Sequence, residues 1–184
     1  MNEIAATNAI KAVINAAKAT LVSGLAQGGA ARSIAHLETT SLAMPSGYYA
    51  IAIDCLAAQE YEMDSRNIVT VVAADGLQHT VYEMAVRIAD YAMPEPGEAT
   101  AYITAHTNFR KLTDRIVKLL RETKWYPNAT TRPRFRLAVT QEQGSMIRKE
   151  NEVITDDSLT YMILAATLRF TLIDHCADST ALYT

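Results

Sequence analysis

The chain has 184 residues, of which 49% are hydrophobic and 20% charged, and a mean hydropathy of +0.01. This is the balance of one ordinary globular domain, long enough to bury about 70% of the surface its unfolded chain exposes without a disulfide or metal staple. A formal charge of −3 argues against a broad footprint on nucleic acid or acidic lipid, and no apolar run approaches the ~20 residues of a membrane span.

Residues 3–25 read as a helix, with Ile10, Val13, Ile14, Ala17, Leu21 and Leu25 stacked on one face. Residues 1–27 thus form an N-terminal helical arm, and Gly24 is a plausible helix end. Residues 28–47 follow as an irregular connection closing in Met44, Pro45, Ser46 and Gly47. Tyr49, Ile51, Ile53 and Cys55 alternate with Tyr48, Ala50, Ala52 and Asp54, the period of a strand. An acidic loop is expected at 60–64, then a β-branched strand at 68–74 and a turn at Asp75-Gly76.

The run 81–91 (VYEMAVRIADY) puts Tyr82, Met84, Val86 and Ile88 on one side of an extended backbone and Glu83 and Arg87 on the other. It reads as a half-buried strand, the second arm of an antiparallel hairpin over 68–91. Pro94, Pro96 and Gly97 end it. A long amphipathic helix over about 101–123 follows, its inner stripe formed by Tyr102, His106, Phe109, Leu112, Thr113, Ile116, Leu119 and Leu120. Three further strands are expected: 134–140, with Phe135, Leu137 and Val139 opposed to Arg134 and Arg136; a polar strand at 145–154; and a long one at 161–173. Consecutive strands with short turns favour a mainly antiparallel sheet packed by the long central helix and the N-terminal helix. The expected fold is a single α+β domain over 1–184.

Groups able to do chemistry are scattered. Asp54 and Cys55 are adjacent in a strand and point to opposite faces, so the acid cannot orient a base for the thiol; a buried strand cysteine acting as a small hydrophobe is the simpler account. Cys176 follows His175, but zinc spacing is absent, as is a secreted-type disulfide framework, although a Cys55–Cys176 pair stays open. His106 lies on a helix's apolar stripe, where a hydrogen-bonded, partly buried ring is the default. His36 and His79 fall in loop or turn positions without a motif. Asp156 and Asp157, with Glu150 and Glu152, lack the glycine and spacing of a calcium loop. No catalytic, metal or cofactor-binding residue is therefore expected.

Other features point to assembly. Arg134 and Arg136 share one strand face and Arg169 lies on the second face of the last strand, either solvated or paired with carboxylates across a subunit interface. Second-face positions such as Ala50, Ala52, Ala85, Ala89 and Ala165 are small where a solvent face would carry charge, so a helix, the N-terminal arm or a neighbouring chain is expected to cover them.

A proline-ended loop leads into strand 48–55, and the hairpin carries Tyr82-x-Met84-x-Val86-x-Ile88. With the helix 108–120 (NFRKLTDRIVKLL), this order resembles the tail terminator (tail completion) proteins of long-tailed bacteriophages. The resemblance implies a non-enzymatic virion protein, made in the host cytoplasm, that forms a ring of usually six subunits. Such a ring caps the tail tube, ends its polymerisation and joins tail to head. Its implied partners are further copies of itself, the tail-tube protein and a head-completion or neck protein, with DNA only as passing cargo and neither cofactor nor membrane. On this analogy Glu60, Glu62 and Asp64 would face the channel and repel phosphate. A tail-tube or neck subunit is the alternative within the same class; a small α+β enzyme or ligand-binding domain is the alternative outside it.

Overall fold

A computed structural model describes residues 3–27, 30–37, 48–62, 78–92, 99–123, 135–138, 147–155 and 162–174. The elements in chain order are α1 (Glu3–Ala16), α2 (Lys18–Val22), β1 (Ala26–Gln27), β2 (Ala30–Ala31), β3 (Ser33–Leu37), β4 (Tyr48–Glu62), β5 (Gln78–Ala92), α3 (Ala99–Glu122), β6 (Phe135–Leu137), β7 (Ile147–Thr155) and β8 (Met162–Asp174). The fold is α+β, as the sequence predicts, with a mostly antiparallel, curled sheet. Strand order in that sheet is β3–β4–β5–β8, with β6 and β7 both on the far side of β8.

Period-two alternation in β5 and β8 decides which side of the sheet holds the main core; on the other side Val81, Ala138 and Ile173 form a small buried cluster. Tyr82, Met84, Val86 and Ile88 lie opposite Leu172, Phe170, Leu168 and Ala166, and all eight are buried on the inner face. Tyr49 and Ile51 of β4 join them. Both long helices cover this face. From α3 come Ala105, Phe109, Leu112, Ile116 and Leu120, and from α1 Ala6, Ala9, Ile10, Val13 and Ile14. Each large side chain so buried contributes about 1.5–3 kcal/mol. The rings of Tyr82 and Phe135 meet edge-on, centroids 5.9 Å apart at 78°, the arrangement that aromatic quadrupoles favour.

Polar tethers fix the helices. Arg115 of α3 donates hydrogen bonds to the carbonyls of Leu21 and Ser23, each at 2.8 Å, satisfying acceptors left open at the end of α2. Asn108 donates to the Ala26 carbonyl at 2.8 Å, and Lys149 of β7 reaches Asp114 of α3 at 2.6 Å.

Three expectations need correction. The single N-terminal helix is broken at Ala17, where φ −95° and ψ 1° leave the helical basin. Bonds from Ala17 N to Val13 O and from Leu21 N to Ala17 O still carry the helical path through the break. Gly24 does follow the helix end, at φ +70°, a conformation that costs glycine little. The connection expected to be irregular over 28–47 contains strands, chiefly β3, which runs parallel to β4 from Ser33 opposite Tyr48 to Leu37 opposite Ala52. Its side chains alone are too mixed to signal a strand; burial of Ile34 and the open edge of β4 make it one. Finally, Glu60 and Glu62 are not in a loop. They continue β4 opposite Thr80 and Gln78, because pairing with β5 outweighs the low strand preference of glutamate. The expected strand at 68–74 and the remainder of 38–47 lie outside the described residues. The described hairpin partner of β5 is β4 itself.

Along β8, the ladder on the far edge changes strand at one point. Ala138 N donates to Thr171 O at 2.9 Å, and the next rung is Ile147 opposite Phe170. Ala138 and Ile147 thus stand at neighbouring rungs of β8 and on opposite faces of the sheet. Joining Ala138 directly to Ile147 should therefore leave the register of β6 and β7 intact. Loop length has a weak effect on stability, so the shortened chain should unfold cooperatively with stability changed by no more than about 1 kcal/mol. Loss of cooperative unfolding in a denaturant titration would contradict this register.

Candidate functional site

Two settings gather charged groups among the described residues, one sealed at an end of the inner face and one spread over the outer face. In the first, Asp90 occupies the inner-face column of β5 beyond Ile88, opposite Leu164, and is fully buried. A charge in that column needs a partner. Arg32, between β2 and β3, supplies it by an ion pair to Asp90 Oδ1. The same guanidinium donates to the Tyr48 carbonyl at 2.7 Å and lies 4.4 Å from the centroid of the Tyr49 ring, a cation–π contact. The second oxygen, Asp90 Oδ2, is buried without a hydrogen bond.

Burial outweighs the attraction of Arg32 and pushes the Asp90 carboxyl up to about 6. Burial, then the Asp90 charge, pushes Tyr49 up to about 12, so its phenol stays protonated. This cluster reads as a lock between the chain after α2 and the sheet. Sequence reading passed over it, although an aspartate continuing the column Tyr82, Met84, Val86, Ile88 is a legible signal of a buried acid in search of a cation.

Cys55, His36 and His106 lie in separate places. Cys55 is half-buried at a bulge in β4, where the register shifts between Cys55 and Ala57. Its thiol donates to the Ala57 carbonyl at 3.4 Å. Burial, with Glu3 and Glu83 nearby, raises its pKa, the opposite of what a nucleophilic thiolate requires. His36 is half-buried on β3, its Nε2 2.7 Å from Asn15 Oδ1 of α1; burial first, then Lys11 and Lys18, lower its pKa. His106 packs beside Tyr102, rings 6.1 Å apart, at a cleft of about 250 Å³ between α3 and the strands β7 and β8. Among the described residues no three His, Cys, Asp or Glu side chains converge as metal ligands. His79's side chain, His175, Cys176, Asp156 and Asp157 lie outside the description.

The second setting is the outer face of β4, β5, β8 and β7. Among the described residues no helix crosses it, since α1, α2 and α3 pack together on the inner side. The cover by the N-terminal arm or another helix that small side chains suggested is thus not what those elements provide. Ala50, Ala89 and Ala165 stand on one cross-strand line. Beside them run ion pairs: Arg87 Nε lies 3.2 Å from Asp54 Oδ2, short of hydrogen-bond geometry, Arg169 Nε 3.6 Å from Glu150, and Arg148 Nε 3.0 Å from the same carboxylate. The arginines are largely open to water, Arg87 being 45% exposed, Arg169 51% and Arg148 74%, whereas Asp54 is 24% exposed and its Oδ2 is buried. Exposed pairs of this kind typically contribute about 0–1 kcal/mol each. They hold the fold weakly and pattern its surface strongly.

Of the arginines expected at an interface, Arg169 belongs to this band and Arg136 is exposed on the same face of β6, opposite Ile173. Arg134 lies outside the described residues. Arg87 and Arg148 complete the band: in the sequence Arg87 shows only as the polar side of its strand, and the partners of Arg148 depend on pairing β7 with β8. Glu60 and Glu62 end β4, and Asp64 is not among the described residues.

In comparisons with known proteins, no family model matches the chain and no curated protein matches it significantly. Among the described residues, no helix is long and apolar enough to cross a membrane.

The Asp90 lock gives a pH signature of known sign. Its folded-state pKa of about 6 lies above the ordinary 3.8, so the fold favours the protonated acid. Its contribution is fully present below about pH 4 and is lost as pH rises through 6. Denaturant unfolding of the native chain and of Asp90→Asn should therefore diverge with pH. The native chain should lose on the order of 2 kcal/mol relative to the variant between pH 4 and pH 7. Parallel pH profiles would refute the assignment.

Proposed function

We propose that this protein is a structural virion subunit of the tail terminator type, forming a ring, on the family pattern of six copies, that caps the phage tail tube and joins it to the head. The observation that carries the reading is the contrast between the two faces of the sheet: the main core lies on one, and among the described residues only a small apolar cluster of Val81, Ala138 and Ile173 lies on the other. Two helices fill one face of a long sheet, and a four-strand outer face carries exposed arginines among buried small side chains such as Ala50, Ala52 and Ala85. That division suits a part whose work is done by surfaces meeting other subunits.

The element order behind the family resemblance adds partial support: an N-terminal helix, a strand, the Tyr82–Ile88 alternation, a long helix and a closing strand correspond to α1, β4, β5, α3 and β8, while the expected first hairpin arm at 68–74 lies outside the described residues. The polar groups inside the fold serve structure. Arg32 and Asp90 lock a chain segment, Arg115 closes α2, and the Cys55 thiol is held un-ionised. In this reading the ring meets the tail-tube protein on one side and a head-completion or neck protein on the other, with DNA passing through it.

Virions assembled without the protein provide the test. Negative-stain images should show tails of irregular, extended length detached from heads. Tails of normal length attached to heads would overturn the proposal, and spontaneous growth of long tubes from the purified protein would assign it to the tube instead.

A further inference from the structure

The antiparallel ladders set outward residues of β4, β5, β8 and β7 into cross-strand rows. One row runs Ala52, Arg87, Thr167, Glu150, and the next Asp54, Ala85, Arg169, Arg148. Read across the strands, the first is neutral, positive, neutral, negative; the second is negative, neutral, positive, positive. Each charge in one row has a neutral or opposite residue beside it in the other. Flanking rows are mostly small: Ala50, Ala89, Ala165, Glu152 on one side, and Ala57, Glu83, Thr171, Ala138 on the other.

We infer that this face is a contact between two copies of this chain, packed sheet to sheet about a two-fold axis. The pattern is complementary to itself. With the axis along the rows, each strand faces its own counterpart and the two central rows exchange. Glu150 then lies over the second copy's Arg148; Arg87 lies over its Ala85, between its Asp54 and its Arg169; and Arg169 lies over its Thr167, between its Glu150 and its Arg87. With the axis along the strands, Arg148 lies over the second copy's Asp54 instead. Neither arrangement sets like charges opposite one another, including in the flanking rows. Alanines beneath the arginines leave room for two sheets to approach to about 10 Å.

With strands ~4.8 Å apart and rows ~6.8 Å apart, the patch measures about 19 by 27 Å. That is roughly 500 Å² per copy, against the ~800 Å² of a standard interface. The pairing is therefore weak, reached at high concentration, and it loosens with salt because its charges sit in water. It does not rest on the virion reading, and a two-fold contact is distinct from the head-to-tail contact that closes a ring.

Charge reversal tests it. In sedimentation equilibrium at low ionic strength, the native chain should self-associate, and Arg148→Glu should weaken that association at least tenfold by opposing the second copy's acid. Glu150→Arg should fail alone and associate when mixed with Arg148→Glu if the axis follows the rows. Asp54→Arg should do so if the axis follows the strands. Association of a mixture requires both variants to be folded, so misfolding cannot imitate rescue. Three outcomes would overturn the inference: a native chain that shows no association through this face, an Arg148→Glu variant that associates as the native chain does, or rescue by neither mixture. The tail phenotype of virions lacking the protein is unaffected by any of them.

Discussion

The rest of the molecule depends on holding β5 between two long antiparallel partners. Its backbone groups are satisfied by β4 on one side and β8 on the other along nearly its whole length, so only its side chains remain to choose a direction. Tyr82, Met84, Val86 and Ile88 choose one face, and a slip of one residue would drive Glu83 and Arg87 into the core. The paired residues of β8 repeat the same alternation, and α1 and α3 follow from it because an apolar sheet face must be covered.

Once one face is filled, the polar interactions divide into two kinds. Those on the inner side tie elements together: Arg32 to Asp90, Arg115 to the end of α2, Asn108 to β1. The first is costly to leave half made, because removing either partner strands a buried charge. Those on the outer face hang on arginines that water already solvates and, Asp54 apart, add little to stability. Their order along the rows matters more than their strength, since it specifies what the face can meet.

Period two made the strands legible, and their inner columns at Tyr82–Ile88 and Leu164–Leu172 are the ones found buried. Period 3.6 did the same for α3, whose bounds differ from expectation by about two residues. Elements that tertiary pairing creates were not legible. β3 is a strand because β4 offers an edge, and Glu60 and Glu62 extend β4 because β5 continues opposite them. The break at Ala17 sits among good helix formers and leaves no local trace. For the surface, Arg169 could be named from alternation alone. Its neighbours Glu150 and Arg148 required the β7–β8 register, and Arg32 required knowing which segment returns to the buried acid.

The central claim is that this sheet, with helices on one face only among the described residues, is an assembly part, and it is open to direct view. A reconstruction of the head–tail junction of virions carrying the protein should contain this fold as a closed ring between the tail tube and the neck, with β4, β5, β8 and the α3 helix fitting the density of each subunit. A junction resolved well enough to trace its subunits, with no copy of this fold in it, would contradict the account.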